Sequence, residues 1–142
     1  MRIPRLLGQL LETQTRASFD YQWKNLPHGH ALLSDPIFRE KVADIIVSQE
    51  LCVDARWLAG REVLDVGCGN GRWSYGFLRL GARVTALDQS SAAIEAIRSS
   101  SFGRDLNFRA YVGDVYVPPE EILDRKYDLI WCWGVLHHIS DP

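Results

Sequence analysis

Val63-Leu-Asp-Val-Gly-Cys-Gly-Asn-Gly-Arg-Trp-Ser74 is the stretch that decides the fold of this 142-residue chain. Val63 to Val66 is a short apolar run, as expected of a parallel strand buried on both faces. It breaks into glycines at alternate positions, Gly67, Gly69 and Gly71, and resumes as a segment from Arg72 to Leu80 that reads as a helix. A strand, a glycine turn and a helix in succession place a ligand against backbone at the carboxyl end of the strand. Glycine leaves there the space that a Cβ would take. The spacing also narrows the ligand. In the dinucleotide fingerprint G-x-G-x-x-G the last glycine lets the helix approach a pyrophosphate. Counted from Gly67 that position is Arg72, and Asp65 at the strand end would repel a phosphate.

Asp88 is an independent signal. Ala82 to Asp88 reads as the next strand, entered from a helix stop at Leu80-Gly81. An acidic residue at its tip lies beside the first loop, where its two oxygens can accept hydrogen bonds from both hydroxyls of a ribose. Gln89 follows it, and Ser90-Ser91 read as the cap of another helix; Asp88 itself also fits a capping role. Asn107 to Asp114 reads as a third strand ending in Gly113-Asp114, a pair that is equally at home in a plain turn. Tyr127 to Gly134 is the fourth, followed by Val-Leu-His-His-Ile-Ser-Asp-Pro142.

The D-x-G-x-G-x-G of Asp65, Gly67, Gly69 and Gly71, with the Asp128-Leu-Ile and Gly134-Val-Leu-His-His-Ile blocks in order, resembles the class I S-adenosylmethionine-dependent methyltransferases, in their small-molecule branch. The likeness covers residues 63 to 142. It implies an α/β, Rossmann-like, doubly wound parallel sheet in the order 3-2-1-4, with S-adenosyl-L-methionine as cofactor. Asp65 and the turn (Gly67, Cys68, Gly69, Gly71) would hold the cofactor's amino acid end, where a carboxylate suits the ammonium and the sulfonium. The helix start near Gly71 and Arg72 can receive the cofactor's carboxylate. Asp88 and Gln89 would lie on the ribose, Asp114 on the adenine amino group, and Val115 against the ring. Trp133 and Gly134 would line the methionine part and face the acceptor. The implied reaction is an in-line methyl transfer to a small-molecule acceptor, with no nucleic acid and no membrane involved. A cofactor-binding remnant without turnover and, further off, a nucleotide-binding oxidoreductase are the alternatives.

His137 and His138 are the residues that could supply a base near neutral pH. Many acceptors need only positioning, so one histidine packed under a helix and the other solvated is the preferred expectation. Cys52, Cys68 and Cys132 are odd in number and widely spaced, which suggests neither a disulfide framework nor a metal site. At Cys68 a small side chain is the expected requirement. A reducing cytoplasm suits this usage. The net charge of −2 and the lack of a basic stripe point away from nucleic acid. The first eleven residues are too interrupted for a signal peptide or a membrane span.

Residues 1–55 read as a helical lid segment and 56–142 as the cofactor-binding half. Leu6, Leu7, Leu10 and Leu11 have the spacing of a short amphipathic helix. Phe19 to Trp23 is an aromatic cluster, either lid or packed anchor, followed by a polar loop from Asn25 to His30. Ser34-Asp35-Pro36 starts a helix whose apolar face would be Ile37, Phe38, Val42, Ile45 and Ile46. The resembled family continues with three more strands, which makes this chain read as an incomplete domain. The strand from Leu129 to Trp133 would then be an apolar edge prone to self-association.

Overall fold

The computed structural model describes residues 5–25 and 33–135. Four parallel strands, β1 (Glu62–Val66), β2 (Arg83–Asp88), β3 (Phe108–Val112) and β4 (Leu129–Trp131), lie in the order β3-β2-β1-β4, as the family resemblance implies. β1 pairs with β2 from Glu62↔Arg83 to Val66↔Leu87 and with β4 from Val63↔Leu129 to Asp65↔Trp131. Being central, β1 is buried along almost its whole length, which is why its sequence is apolar apart from Glu62 at its start and the buried Asp65.

Successive residues of β1 serve opposite faces. Val63 joins a large core with Val84, Ala86, Phe108, Phe77, Ile94 and Ile97, under the helices α3 (Arg72–Arg79) and α4 (Ser91–Ser99). Leu64 and Val66 join a smaller core with Leu87 and Ile122, the last carried by the short α5 (Glu120–Leu123). Helices on both faces make the sheet doubly wound. By the same alternation Asp65 shares the α3 face with Val63.

Ahead of the sheet, α1 (Arg5–Asn25) is one continuous helix of 21 residues. The expected short helix and separate aromatic cluster are thus corrected, Asn25 ends the helix, and the rest of the expected loop, residues 26–30, lies outside the described residues. With no proline and only Gly8 in this span, nothing stops the helix, and the aromatic stretch is part of it. Tyr21 is exposed. α2 (Pro36–Ile45) starts as expected: Asp35 accepts the N–H groups of Ile37 (2.8 Å) and Phe38 (3.4 Å), with Pro36 in the first turn. It runs on through a π-helical turn, Ile46–Glu50.

Val42 and Ile46 are fully buried in the same core as the sheet residues. Their approach depends on Gly76 of α3, where a Cβ would lie 2.5 Å from Ile46 Cδ1 and 2.9 Å from a Val42 methyl. Ile37, expected on this apolar face, is exposed; it belongs to the first turn, short of the contact with α3. β4 is also shorter than expected, ending before Trp133.

Candidate functional site

Because the strands are parallel, their carboxyl ends gather the glycine turn, Asp88, Asp114 and Trp133 along one edge. The turn is built from backbone in left-handed conformations, with φ of +69° at Gly67, +51° at Gly69 and +77° at Gly71. These angles favour glycine. The N–H groups of Gly67 and Cys68 both donate to the Leu87 carbonyl, at 2.7 and 3.1 Å, which lashes the turn to β2. At Gly67 the missing Cβ makes room for the Val135 side chain, and at Gly71 for Phe102 and Ile97. The glycines at 67 and 71 are therefore required by protein packing as well as by backbone conformation.

Asp88 is 8% exposed and fastens two loops at once. Its Oδ2 accepts the Gly69 N–H and its Oδ1 the Ser90 N–H, each at 2.8 Å. Burial pushes its pKa up, the two backbone N–H groups pull it down, and the Asp20 carboxylate adds to the rise. Ser90 caps α4 by accepting the Ala93 N–H, as expected. Gln89 is half-buried between them.

Asp65 lies under the turn, 1% exposed, and accepts the Ser74 hydroxyl of α3 at 2.6 Å. Removal from water is the main cause that lifts its pKa from 3.8 to about 7; the nearby Asp88 carboxylate lifts it too, against the Ser74 hydrogen bond. Cys68 is buried, and burial and the same two carboxylates hold its thiol well above the ordinary range.

Beyond β3, Asp114 is half-buried, accepts the Tyr116 N–H at 3.0 Å and pairs with Arg16 of α1 at 2.5 Å. Val115 packs with the smaller core. Asp20, one turn further along α1, accepts the Ser90 hydroxyl at 2.7 Å. α1 is thus tied to the edge beside both Asp88 and Asp114.

Beyond β4, Trp133 is 46% exposed and Gly134 has a φ of +74°. His137 and His138 lie outside the described residues. The contributors that the sequence reading passed over are Asn70, whose side chain accepts the Arg72 N–H at 3.2 Å, Ser74, and the links from Arg16 and Asp20. One signal was available: Trp131 and Trp133 alternate at strand period beside Arg72-Trp73, so both indoles fall on the α3 side.

A glycine turn locked to an aspartate at the tip of the neighbouring strand, on a 3-2-1-4 parallel sheet, defines the class. The chain belongs to the methyltransferase-domain family, whose model matches residues 63–142. It is similar to the ubiquinone biosynthesis O-methyltransferase of Alkalilimnicola ehrlichii, 36% identical over 88 residues, 60% of this chain and 34% of that protein. The chain thus spans about a third of that relative's length. Among solved structures it resembles phosphoethanolamine N-methyltransferase 1 of Haemonchus contortus, with a TM-score of 0.67 at 18% identity, over 94% of this chain and 28% of that one. It also resembles protein arginine methyltransferase 10 of Arabidopsis thaliana, with a TM-score of 0.58 at 22% identity, over 80% of this chain and 31% of that one. At these identities the structures support the fold alone.

Proposed function

We propose that this chain binds S-adenosylmethionine along the carboxyl edge of its sheet and serves methyl transfer to a small-molecule acceptor. The observation that carries the reading is the Asp88 carboxylate fixed to the Gly69 and Ser90 N–H groups. Each of its oxygens has spent one acceptor position and keeps another, the pair of acceptors that the vicinal hydroxyls of a ribose require. When bound, the cofactor supplies an electrophilic methyl carbon on a positively charged sulfur.

The chain's own residues bind and orient. Asp88, with Gln89 beside it, holds the ribose. Asp114 takes the adenine amino group and Val115 flanks the ring; Arg16, already on Asp114, has to share or yield that carboxylate. Gly67, Cys68, Gly69 and Gly71 bound the amino acid end. Asp65 acts on it from below through its field, because its carboxylate is turned to Ser74. A cation arriving above Asp65 favours its ionised form. Trp133 and Gly134 border the acceptor, and α1 with the 1–55 segment shields the edge from water. His137 or His138 would serve as base only for an acceptor that must lose a proton.

The relatives' names favour a small, oxygen-bearing acceptor. Among the described residues no helix is long and apolar enough to cross a membrane, and the free Cys52, Cys68 and Cys132 suit a cytoplasmic home. Self-association along the outer edge of β4 belongs to the same reading, supported by the exposed Ile130.

Calorimetric titration with S-adenosylmethionine tests the proposal. Saturable binding, weakened about tenfold or more in Asp88→Asn, is the expected result. A folded chain that binds nothing refutes it.

A further inference from the structure

Arg72 is the first residue of α3, immediately after the glycine turn. Its guanidinium carbon lies 5.1 Å from the centre of the Trp73 ring and 4.7 Å from that of Trp133. The two indoles are 5.5 Å apart and tilted by 55°, so they form a wedge around the cation. The wedge is anchored. Trp73 packs edge-on against Trp131, which packs edge-on against the fully buried Phe77, each pair at 5.5 Å. Arg72 is thereby held by an aromatic column that begins in the core and ends at the binding edge.

Cation–π contacts satisfy charge without satisfying hydrogen bonds. A guanidinium has five N–H donors in a planar fork. No side-chain hydrogen bond and no ion pair of Arg72 occurs among the described residues, although Arg16, Arg39, Arg56, Arg61 and Arg83 each have one. The group is half-buried, and burial works against its charge while the Asp65 carboxylate works for it. Water can meet the exposed half of the fork, but no side-chain acceptor among the described residues meets it, which leaves it open to an anion.

We propose that Arg72, clamped by Trp73 and Trp133, is the carboxylate-binding residue of this edge. Resting on the S-adenosylmethionine reading, the carboxylate is that of the cofactor's amino acid end; an acceptor carrying a carboxylate is the other source of the same chemistry. Position favours the first, since Arg72 adjoins the turn and lies in the field of Asp65, which puts opposite charges side by side for a zwitterion.

The test uses the 142-residue chain with Arg72→Gln and Arg72→Lys, each titrated calorimetrically with S-adenosylhomocysteine and with methylthioadenosine. The second ligand keeps the nucleoside and lacks the amino acid part. Benzoate is then titrated into the S-adenosylhomocysteine complex. Arg72→Gln is expected to weaken S-adenosylhomocysteine about tenfold or more and to change methylthioadenosine by less than about twofold, with Arg72→Lys between.

Unchanged S-adenosylhomocysteine with benzoate binding lost only in the variants supports the residue and moves the carboxylate to the acceptor. Equal losses on both nucleosides, or no loss on any ligand, overturn the proposal. Wild-type binding of methylthioadenosine keeps the cofactor reading standing in either case. A folded wild-type chain that binds none of the three overturns both.

Discussion

Asp65→Asn removes the charge of the more deeply buried of the two carboxylates beside the glycine turn. Unfolded, Asp65 ionises near 3.8; folded, it keeps its proton up to about 7. Between those values the unfolded chain has released a proton that the folded chain still holds. The wild type therefore loses stability as pH rises through that window and levels off above it, whereas below the unfolded pKa no penalty exists. At roughly 1.4 kcal/mol per unit the full difference is about 4 kcal/mol, an upper bound because buried sites relax. Asparagine keeps the shape and a partner for the Ser74 hydroxyl but carries no charge.

Urea unfolding followed by tryptophan fluorescence, repeated from about pH 4 to 8, measures the gap. The expected result is a small difference, or slight loss, near pH 4 and a growing advantage for Asp65→Asn that saturates near pH 7 to 8. A gap that does not change with pH, or a variant that is less stable at pH 8, refutes the argument.

Three further outcomes follow from packing and edges. Gly76→Ala places a methyl against Ile46 and Val42 and should lower stability by about 1–3 kcal/mol despite alanine's better helix propensity, read as a drop in melting temperature. Asp35→Ala removes the cap of α2 and should cost about 1 kcal/mol by the same measurement, with Asp35→Asn close to wild type. Ile130→Lys should leave the circular dichroism spectrum intact and shift light-scattering mass toward the monomer; an unchanged mass distribution would remove the β4 edge from the account of self-association.

The sheet was legible where one physical requirement dominates. β1 must be apolar on both faces, and the turn after it must take left-handed backbone, so both announced themselves. The Ser90 and Asp35 caps were legible for the same reason: few residue types satisfy a helix's free N–H groups. Asp65 was read toward the ligand because its pattern was taken without strand parity, which sends it with Val63 to the α3 face. α1 was cut short because its aromatic stretch looked like a separate unit, although nothing in it breaks a helix. The Trp73–Arg72–Trp133 wedge joins residues far apart in the chain, and only the register of β4 against β1 brings them together. His137 and His138 fall outside the described residues, so their roles stay with the proposal.

The seat of Val135 over Gly67 has a consequence for synthesis. The glycine turn leaves the ribosome early, yet the residue that closes over it arrives only after three more strands have been made. Every pairing in between is parallel and non-local, and such contacts form slowly. The binding edge accordingly forms after the four strands that precede Val135, and no nascent chain ending before that residue has it whole. A ligand that needs the closed edge stabilises the chain only once Val135 is in place and leaves the earlier stages to find the sheet unaided.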